Sequence, residues 1–383
     1  MKRKICVVIT ARPSYARIRS ALVELRQRDD VELQIILTAS ALLERYGRIE
    51  NVIADDGFDV SWRIHSIIEG ESLLSSAKST AIGLAETATA LYNLKPDVVV
   101  SIADRFETIA TAIASSYMNI PLAHIQGGEV TGNIDDRVRH AVTKLSDLHL
   151  VASEGAAGMV RSMGEHPGSI FLTGCPSLDI SHKALENPAL PEDFSGHFGG
   201  VGSDFDAGED YLVVMQHPVT TEYEDAYVQA EETLKAIIEL DMPALWFWPN
   251  VDAGSDATSK ALRVYRERKL LPKVHFFRNV PPEDFNRILI NSSGIIGNSS
   301  VAIRECSFLG VPAVNIGNRQ TDRERGPNVI DVGHDSAAIL AAIRTHLAHG
   351  KYKPSGIYGD GAAGRKIADI LAAAPLMLKH EHL

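Results

Sequence analysis

Positive charge and cysteine are both scarce in this chain of 383 residues. The 38 lysines and arginines are outnumbered by 49 aspartates and glutamates, and the net charge of −11 argues against general binding to nucleic acid or to an anionic membrane. The three cysteines, Cys6, Cys175 and Cys306, are widely spaced, which favours a reducing, cytoplasmic setting. Neither the cysteines nor the histidines show metal-ligand spacing, so we expect no catalytic metal.

Glycine is missing from the beginning of the chain, where the first one is Gly47. A dinucleotide-binding domain needs G-x-G-x-x-G directly after its first strand, so a nicotinamide or flavin fold is disfavoured. The apolar run near the N-terminus is too short for a signal peptide and meets Arg12 and Pro13 at once. The least charged stretch, residues 108–124, contains Ser, Thr and Asn, which predicts a buried helix and strand rather than a membrane span.

The sequence does contain a repeated alternation of strand and helix patterns. Val- and Ile-rich runs such as KICVVIT and DVVVSI alternate with amphipathic segments such as YARIRSALVELRQR. Residues 185–209, rich in Gly, Pro and Asp, interrupt this pattern before a second alternation begins. Such alternation predicts parallel sheets with both faces covered. We therefore expect an α/β fold of two doubly wound, Rossmann-like domains facing a cleft, with residues 1–180 plus 366–383 in one domain and 181–365 in the other.

Residues 124–150, HIQGGEVTGNIDDRVRHAVTKLSDLHL, combine acids, bases and cations directly after an apolar strand pattern. Gly127 and Gly128 allow a sharp turn at the carboxyl end of that strand, which is where ligands bind in open α/β sheets. Asp135 and Arg139 share one face of the predicted helix; capping and a solvent salt bridge explain Asp136 better than Asp135. The candidate site residues of this segment are Gln126, Glu129, Asp135 and Arg139.

Arginines follow two other strand patterns of the first half. Arg12 places a permanent cation at the carboxyl end of the first strand, and Arg17 lies on the helix that follows. The segment DVVVSIADRFET places Asp104 and Arg105 at another strand end. A surface arginine and a helix-capping aspartate are the ordinary alternatives for any one of these residues. In a crevice that bears carboxylates, Asp104 becomes a candidate acid or base, and the arginines become candidate contacts to an anion.

The second half places polar residues at strand ends in the same way. His217 ends the run YLVVMQH, where it would donate a proton or contact a phosphate; a packed histidine is the alternative. Asn250 lies in a turn after an aromatic strand and is a candidate contact to a base or a sugar.

The segment GIIGNSSVAIRECSFLG has the pattern of a phosphate cradle. A strand, a glycine and the serines Ser299 and Ser300 precede a predicted helix, whose N-terminus offers free backbone N–H groups to an anion. Glu305 is better suited to a ribose diol, and Arg319, after the next strand, could close over a diphosphate. Helix capping by the serines is the alternative.

Together these segments resemble the UDP-N-acetylglucosamine 2-epimerase family, and especially its hydrolysing branch. The resemblance covers nearly the whole chain through the motifs ARPSYAR, ADRFET, HIQGGEVTGNIDDRVRHAVTK, TGCPS, QHPVTT, WPNVDAGS, GNSSVAIRE and NIGNRQ. It implies the glycosyltransferase-B fold, a UDP-sugar substrate held mainly by the second domain, and a homodimer or homotetramer. The implied UDP contacts are Arg12, Arg105, Ser299, Ser300, Glu305 and Arg319, and the implied catalytic positions are Asp104, Gln126, Asp135 and His217.

One residue departs from the family pattern. Many members carry Glu at the position of Gln126, and glutamine cannot shuttle a proton. Either Glu129 or an aspartate therefore takes that role, or this group of residues only binds substrate.

The reaction implied by the resemblance is elimination of UDP to a glycal, followed by addition of water to give N-acetylmannosamine for sialic acid synthesis. This route requires no redox cofactor, so no cofactor is expected. Four alternatives stay open at this point: the same reaction on a 2,4-diacetamido-trideoxy sugar nucleotide, as in legionaminic acid synthesis, a non-hydrolysing epimerase, a retaining glycosyltransferase, and a nucleotide-sugar sensor without turnover.

Overall fold

The computed structural model describes residues 2–43, 49–68, 73–103, 105–131, 134–191, 194–203, 205–206, 208–249, 254–277 and 280–379. The chain divides into two compact units. The first comprises Met1–Val130, Ile134–Asp179 and Gly359–Leu383, and the second includes Ile180–Tyr358.

A seven-stranded sheet forms the centre of the first unit. Its strands are β1 (Arg3–Ile9), β2 (Val31–Thr38), β3 (Trp62–Ile64), β4 (Val98–Ile102), β5 (Leu122–Ile125), β6 (Leu148–Val151) and β7 (Ile170–Leu172). They lie in the order β3-β2-β1-β4-β5-β6-β7, and all neighbouring pairs are parallel. Because the strands are parallel, their carboxyl ends lie at one edge of the sheet.

The second unit contains another seven-stranded sheet. Its strands are β8 (Val201–Gly202), β9 (Leu212–Met215), β10 (Ala244–Phe247), β11 (Val274–Phe277), β12 (Gly294–Gly297), β13 (Ala313–Ile316) and β14 (Val329–Val332). They lie in the order β14-β13-β12-β9-β10-β11-β8. The short β8 is antiparallel to β11, and the other neighbouring pairs are parallel.

Helices connect the strands. They are α1 (Arg12–Ala16), α2 (Arg19–Arg26), α3 (Ile49–Asp55), α4 (Leu73–Leu94), α5 (Thr108–Tyr117), α6 (Ile134–Leu145), α7 (Glu154–Ser162), α8 (Ser177–Glu186), α9 (Phe194–Phe198), α10 (Ala226–Leu240), α11 (Ser255–Glu267), α12 (Pro282–Asn291), α13 (Glu305–Leu309), α14 (Ser336–His349) and α15 (Ala363–Ala373). No helix within these described ranges is long and apolar enough to cross a membrane.

Both faces of each sheet are buried. Along β1, Ile5 and Val7 belong to one apolar cluster, whereas Cys6 and Val8 belong to another on the opposite face. Successive side chains of a strand point to opposite faces, so continuous Val- and Ile-rich runs suit strands that helices cover on both sides. The predicted doubly wound α/β class is confirmed.

The end of the chain packs against its beginning. Ile367 and Leu371 of α15 lie in the same buried cluster as Leu22 of α2. In addition, Arg3 Nη1 donates hydrogen bonds to the carbonyl oxygens of Leu371 and Ala374, at 3.0 and 2.9 Å. The helix therefore belongs to the first unit, whose last segment begins at Gly359; the sequence predicted that this segment begins at residue 366.

One predicted helix is not formed as expected. The sequence predicted one continuous helix after the serines, but the structure has a single 3₁₀ turn over Ser300–Ala302 and then the five-residue α13. Arg304, between them, has φ −94° and ψ −68°, which departs from the usual α-helical values. The helix dipole that was expected to face an anion is correspondingly short, because α13 contains few aligned peptide groups.

Candidate active site

Each sheet has one point where the chain changes the side on which it adds strands. In the first sheet, the chain adds β2 and β3 on one side of β1 and then crosses to β4 on the other side. In the second sheet, β10 and β11 lie on one side of β9, and the chain then crosses to β12 on the other side. Loops at the carboxyl ends diverge at such a point and leave room for a ligand. In both units, most predicted site residues follow these strands or the strands beside them.

Two arginines follow β1 in the first unit. Arg12 begins α1 and Arg17 directly follows its last residue, and both are partly buried. Their guanidinium groups make no hydrogen bond or ion pair with any residue in the described ranges. The carboxyl end of β1 thus holds two cations whose donors are available to an anion.

Arg105, which follows β4, is held by a buried acid. Its Nε and Nη2 donate to Oε2 and Oε1 of Glu107, both at 3.3 Å. The Glu107 side chain is 7% exposed and that of Arg105 is 41% exposed. The pair orients Arg105 while leaving part of its guanidinium group accessible.

The two glycines after β5 are needed for different steric reasons. A Cβ atom on Gly127 would lie 2.7 Å from His124 Nδ1 and 2.8 Å from Thr143 Oγ1. Gly128 has φ +80°, and a Cβ there would lie 2.3 Å from the carbonyl oxygen of Ala156. The sharp turn expected from the sequence is confirmed.

Gln126 lies in this turn with φ +63° and is 2% exposed. Its Nε2 donates to Cys175 Sγ at 2.9 Å, and the thiol also lies 3.0 Å from Ser177 Oγ. Within the described residues, Gln126 Oε1 has no hydrogen-bond partner. The side chain is therefore anchored through its nitrogen, and its oxygen is an acceptor that a ligand hydroxyl or amide could use.

Glu129 and Arg139 are both buried, at 7% and 1% exposure. Arg139 Nη1 donates to the carbonyl oxygen of Glu129 at 2.6 Å and also contacts Asp136 Oδ1. The ion pair described is thus i,i+3 with Asp136; the side chain of Asp135 lies outside the described residues. Arg139 stabilises the loop that carries Glu129 through this hydrogen bond. A direct contact between Arg139 and the substrate stays a prediction.

Three predicted residues fall wholly or partly outside the described ranges. Asp104 and Asn250 do so entirely, whereas Asp135 is described only as part of the first turn of α6. Their roles stay predictions from the sequence.

His124 is a residue of interest that the sequence did not single out. Its ring is fully buried; Nε2 lies 2.9 Å from the Ala103 carbonyl oxygen and Nδ1 lies 3.1 Å from Thr143 Oγ1. A carbonyl oxygen only accepts, so Nε2 carries a hydrogen. Ala103 has φ +62°, an uncommon conformation for a residue with a Cβ. His124 thus ties β5 to the turn that follows β4.

In the second unit, His217 follows β9 and is held by its backbone. Its N–H donates to Asn298 Oδ1, and its carbonyl oxygen accepts from Asn298 Nδ2, both at 2.8 Å. These bonds fix the backbone of His217 at the carboxyl edge of the sheet.

The serines and Glu305 follow the adjacent strand, β12. Ser299 Oγ accepts from the N–H of Val301 at 3.4 Å, so this serine caps the 3₁₀ turn. Ser300 begins that turn and is partly buried. Glu305 begins α13, and its Oε2 is buried without a hydrogen-bond partner among the described residues. A buried carboxylate oxygen of this kind is well suited to accept from a ligand hydroxyl.

Arg319 and Gln320 follow β13, the next strand of the sheet. Arg319 Nη1 lies 3.4 Å from the Asn298 carbonyl oxygen, and Gln320 Nε2 donates to the same oxygen at 3.0 Å. The structure therefore brings His217, Ser300 and Arg319 to the ends of three neighbouring strands, β9, β12 and β13.

Burial and the positive charge of Arg319 lower the pKa of His217 from 6.5 to about 3. The imidazole is therefore neutral near pH 7. A bound diphosphate would bring negative charge close to it and raise the pKa, because an opposite charge favours the protonated form.

We expect His217→Asn to flatten the pH dependence of stability between about pH 6.5 and 3. In this window the unfolded state binds a proton at His217 and the folded state does not, so the free energy of unfolding falls as the pH is lowered. Urea unfolding from pH 7 to pH 4 measures the slope. His197→Asn, which replaces an exposed histidine of the same unit, should keep the wild-type slope. Identical slopes for His217→Asn and wild type would contradict the lowered pKa.

Within the described residues, no group of three or more His, Cys, Asp and Glu side chains could hold a metal ion.

Known proteins share both the sequence pattern and the architecture. The family described as UDP-N-acetylglucosamine 2-epimerase matches residues 23–372. A Legionella pneumophila protein named UDP-N,N'-diacetylbacillosamine 2-epimerase (hydrolyzing) is 33% identical, over 98% of this chain and 97% of that protein. A Neisseria meningitidis UDP-N-acetylglucosamine 2-epimerase is 28% identical, over 94% of this chain and 92% of the relative.

A solved structure supports the fold. The Methanocaldococcus jannaschii UDP-GlcNAc 2-epimerase in complex with UDP-GlcNAc and UDP aligns with a TM-score of 0.79 at 19% identity, over 96% of this chain and 99% of that one. The expected glycosyltransferase-B type of fold is confirmed.

Proposed function

Because this chain belongs to the UDP-N-acetylglucosamine 2-epimerase family, we propose that it is a hydrolysing enzyme that converts UDP-N-acetylglucosamine and water to N-acetylmannosamine and UDP. The product would enter the synthesis of sialic-acid-type sugars in the cytoplasm. The observation that carries the proposal is full-length similarity to a hydrolysing relative, at 33% identity over 98% of this chain.

The second unit would bind UDP. Arg319 supplies a cation, Ser300 supplies a hydroxyl donor, and the Glu305 carboxylate accepts hydrogen bonds from the ribose. A charge-assisted hydrogen bond contributes about 1.5–3 kcal/mol, so a few such contacts hold a diphosphate firmly. We include Asn250 as a further contact to the nucleoside, on the basis of its sequence position.

The first unit would carry out proton transfer. The candidate acids and bases are Asp104, Glu129 and Asp135, and neighbouring carboxylates split into an acid and a base because two like charges close together are unfavourable. Gln126 cannot titrate, and its Nε2 is engaged with Cys175, so its role is to bind substrate through Oε1. Arg12, Arg17 and Arg105 offer positive charge to the leaving diphosphate.

The reaction would proceed in two steps, an elimination and then an addition of water. A carboxylate removes the proton from sugar C2 while the C1–O bond breaks, which releases UDP and leaves a C1–C2 double bond in the glycal. Water then adds its hydroxyl group to C1, and a proton is delivered to C2 on the opposite face, which inverts that centre. The C2 proton is weakly acidic, so the base must be held close to it and aligned.

A second candidate substrate is a UDP-2,4-diacetamido-trideoxyhexose. The Legionella relative, whose name specifies such a sugar, supports this alternative at 33% identity. The two substrates share the reacting C1 and C2 atoms and differ at C4 and C6, so the chemistry proposed above is the same for both. We further propose a homodimer or homotetramer, as the family resemblance implies.

One experiment tests the reaction and the substrate together. The protein is incubated in D2O with either UDP-sugar and followed by proton NMR. Free N-acetylmannosamine that carries deuterium at C2, together with UDP, is the result expected from UDP-N-acetylglucosamine.

Other outcomes separate the alternatives. Turnover of only the diacetamido sugar would select the second substrate. An epimeric UDP-sugar without free sugar would identify a non-hydrolysing enzyme. Binding of UDP with neither exchange at C2 nor sugar release would overturn the proposed activity.

A further inference from the structure

All polar groups of Asn298 form hydrogen bonds at the point where the chain crosses from one side of β9 to the other in the second sheet. It lies directly beyond β12 and is 0% exposed. Its N–H donates to the Met215 carbonyl oxygen at 3.1 Å, and its side-chain amide makes the two 2.8 Å hydrogen bonds to the backbone of His217. Asn298 is not among the site residues predicted from the sequence.

The position of Asn298 at the end of β12 explains how its side-chain amide reaches the backbone of His217. Gly297 and Met215 form the last pair of the β9–β12 ladder, and a Cβ on Gly297 would lie 2.1 Å from the Met215 carbonyl oxygen. Beyond this pair the regular backbone pairing of β9 and β12 ends. The Asn298 side chain offers one donor and one acceptor to His217, as a peptide group of a neighbouring strand would.

The backbone of Asn298 reaches the third strand. Its carbonyl oxygen accepts from Gln320 Nε2 at 3.0 Å and lies 3.4 Å from Arg319 Nη1. One buried residue thus connects the ends of β9, β12 and β13. Of the groups that it connects, Arg319 is a proposed contact of the substrate, and His217 is a catalytic position that the family resemblance implies.

We propose that Asn298 is a positioning residue that sets the His217 imidazole and the Arg319 guanidinium relative to each other. The inference rests on the proposed function only in placing these two side chains at the substrate. Without the amide, the N–H and carbonyl groups of His217 lose their partners at the edge of the sheet, and the loop relaxes toward other partners.

Asn328 provides a matched control in the same unit. It is also buried; its Nδ2 donates to the Val311 carbonyl oxygen at 2.8 Å, and its Oδ1 accepts from the Ser307 hydroxyl at 2.7 Å. Asn328→Ala therefore removes an equivalent buried amide that contacts none of the proposed site residues. Both variants should lower the melting temperature to a similar extent.

We expect only Asn298→Ala to impair the site. Leaving the N–H and carbonyl groups of His217 without partners costs free energy. We therefore expect a loss of about 10- to 100-fold in kcat/KM and a marked weakening of UDP binding. The alanine variant loses both side-chain bonds to the His217 backbone but keeps the carbonyl oxygen that Gln320 and Arg319 contact. Because Arg319 is then affected only through the shift of the loop, kcat should fall more than KM rises. Gln320→Ala removes only the hydrogen bond from Gln320 to the Asn298 carbonyl oxygen, next to Arg319. This variant should raise KM with a smaller effect on kcat. Calorimetric titration with UDP and steady-state kinetics measure these quantities.

The outcomes distinguish the inference from the proposed function. If Asn298→Ala and Asn328→Ala have the same UDP affinity and the same kcat/KM, the positioning role is overturned. If wild type turns over no UDP-sugar but Asn298→Ala still weakens UDP binding relative to Asn328→Ala, the positioning role stands and the proposed function fails.

Discussion

Replacing Asp104 with asparagine is expected to reduce turnover by about 10²- to 10⁴-fold, the range for loss of a general acid or base, while UDP binding changes little. The amide keeps the size of the carboxylate but removes the proton-transfer group. UDP binding should persist because its proposed contacts lie mainly in the second unit. Proton NMR in D2O follows exchange at C2 and release of sugar, and calorimetry follows UDP.

The same measurements on Asp135→Asn test the second aspartate of the first unit. Asp55→Asn is a suitable control, because Asp55 is an exposed aspartate of the same unit at the end of α3. The assignment of proton transfer to these aspartates is wrong if Asp104→Asn and Asp135→Asn both retain wild-type activity.

Replacing Arg319 with alanine should weaken UDP binding by about 10- to 100-fold, because a charge-assisted hydrogen bond contributes about 1.5–3 kcal/mol. A second effect follows from its charge. Arg319 helps to lower the pKa of His217, so its removal should move that pKa upward, toward the ordinary value. An NMR titration of the His217 ring, together with calorimetric titration of UDP, measures both effects.

Arg344→Ala is a control for charge alone. Arg344 is exposed on α14 and pairs with Glu239 at a distance of 3.9 Å, so its removal subtracts a cation without touching the site. It should leave UDP affinity and the His217 pKa unchanged. Equal UDP affinities for Arg319→Ala and Arg344→Ala would remove Arg319 from the proposed diphosphate contacts.

Local sequence pattern was a good guide to the architecture. Runs such as KICVVIT predict strands because side-chain alternation buries both faces, and the structure forms β1 over Arg3–Ile9. The same reasoning placed Gln126, His217 and Arg319 after strands, and they do follow β5, β9 and β13. The pattern failed after β12, where one continuous helix was expected. Apolar spacing does not reveal that a 3₁₀ turn precedes a short α-helix here.

Partners distant in the sequence could not be predicted. His217 and Asn298 are separated by 81 residues, and Gln126 and Cys175 by 49. Their amino-acid types allow many hydrogen-bond partners, and no local pattern selects among them. Arg139 shows the same limit, since its buried bond to the Glu129 backbone depends on how the loop folds back onto α6.

The sequence by itself determined the fold class, the family and the strand ends that carry polar residues, because these depend on side-chain periodicity and on motifs within short stretches. Only the tertiary structure decided that Asn298 links three strand ends, that His124 bonds to the Ala103 carbonyl oxygen, and that burial and Arg319 lower the pKa of His217. The physical reason is that hydrogen bonding and desolvation depend on which remote groups come together when the sheets form.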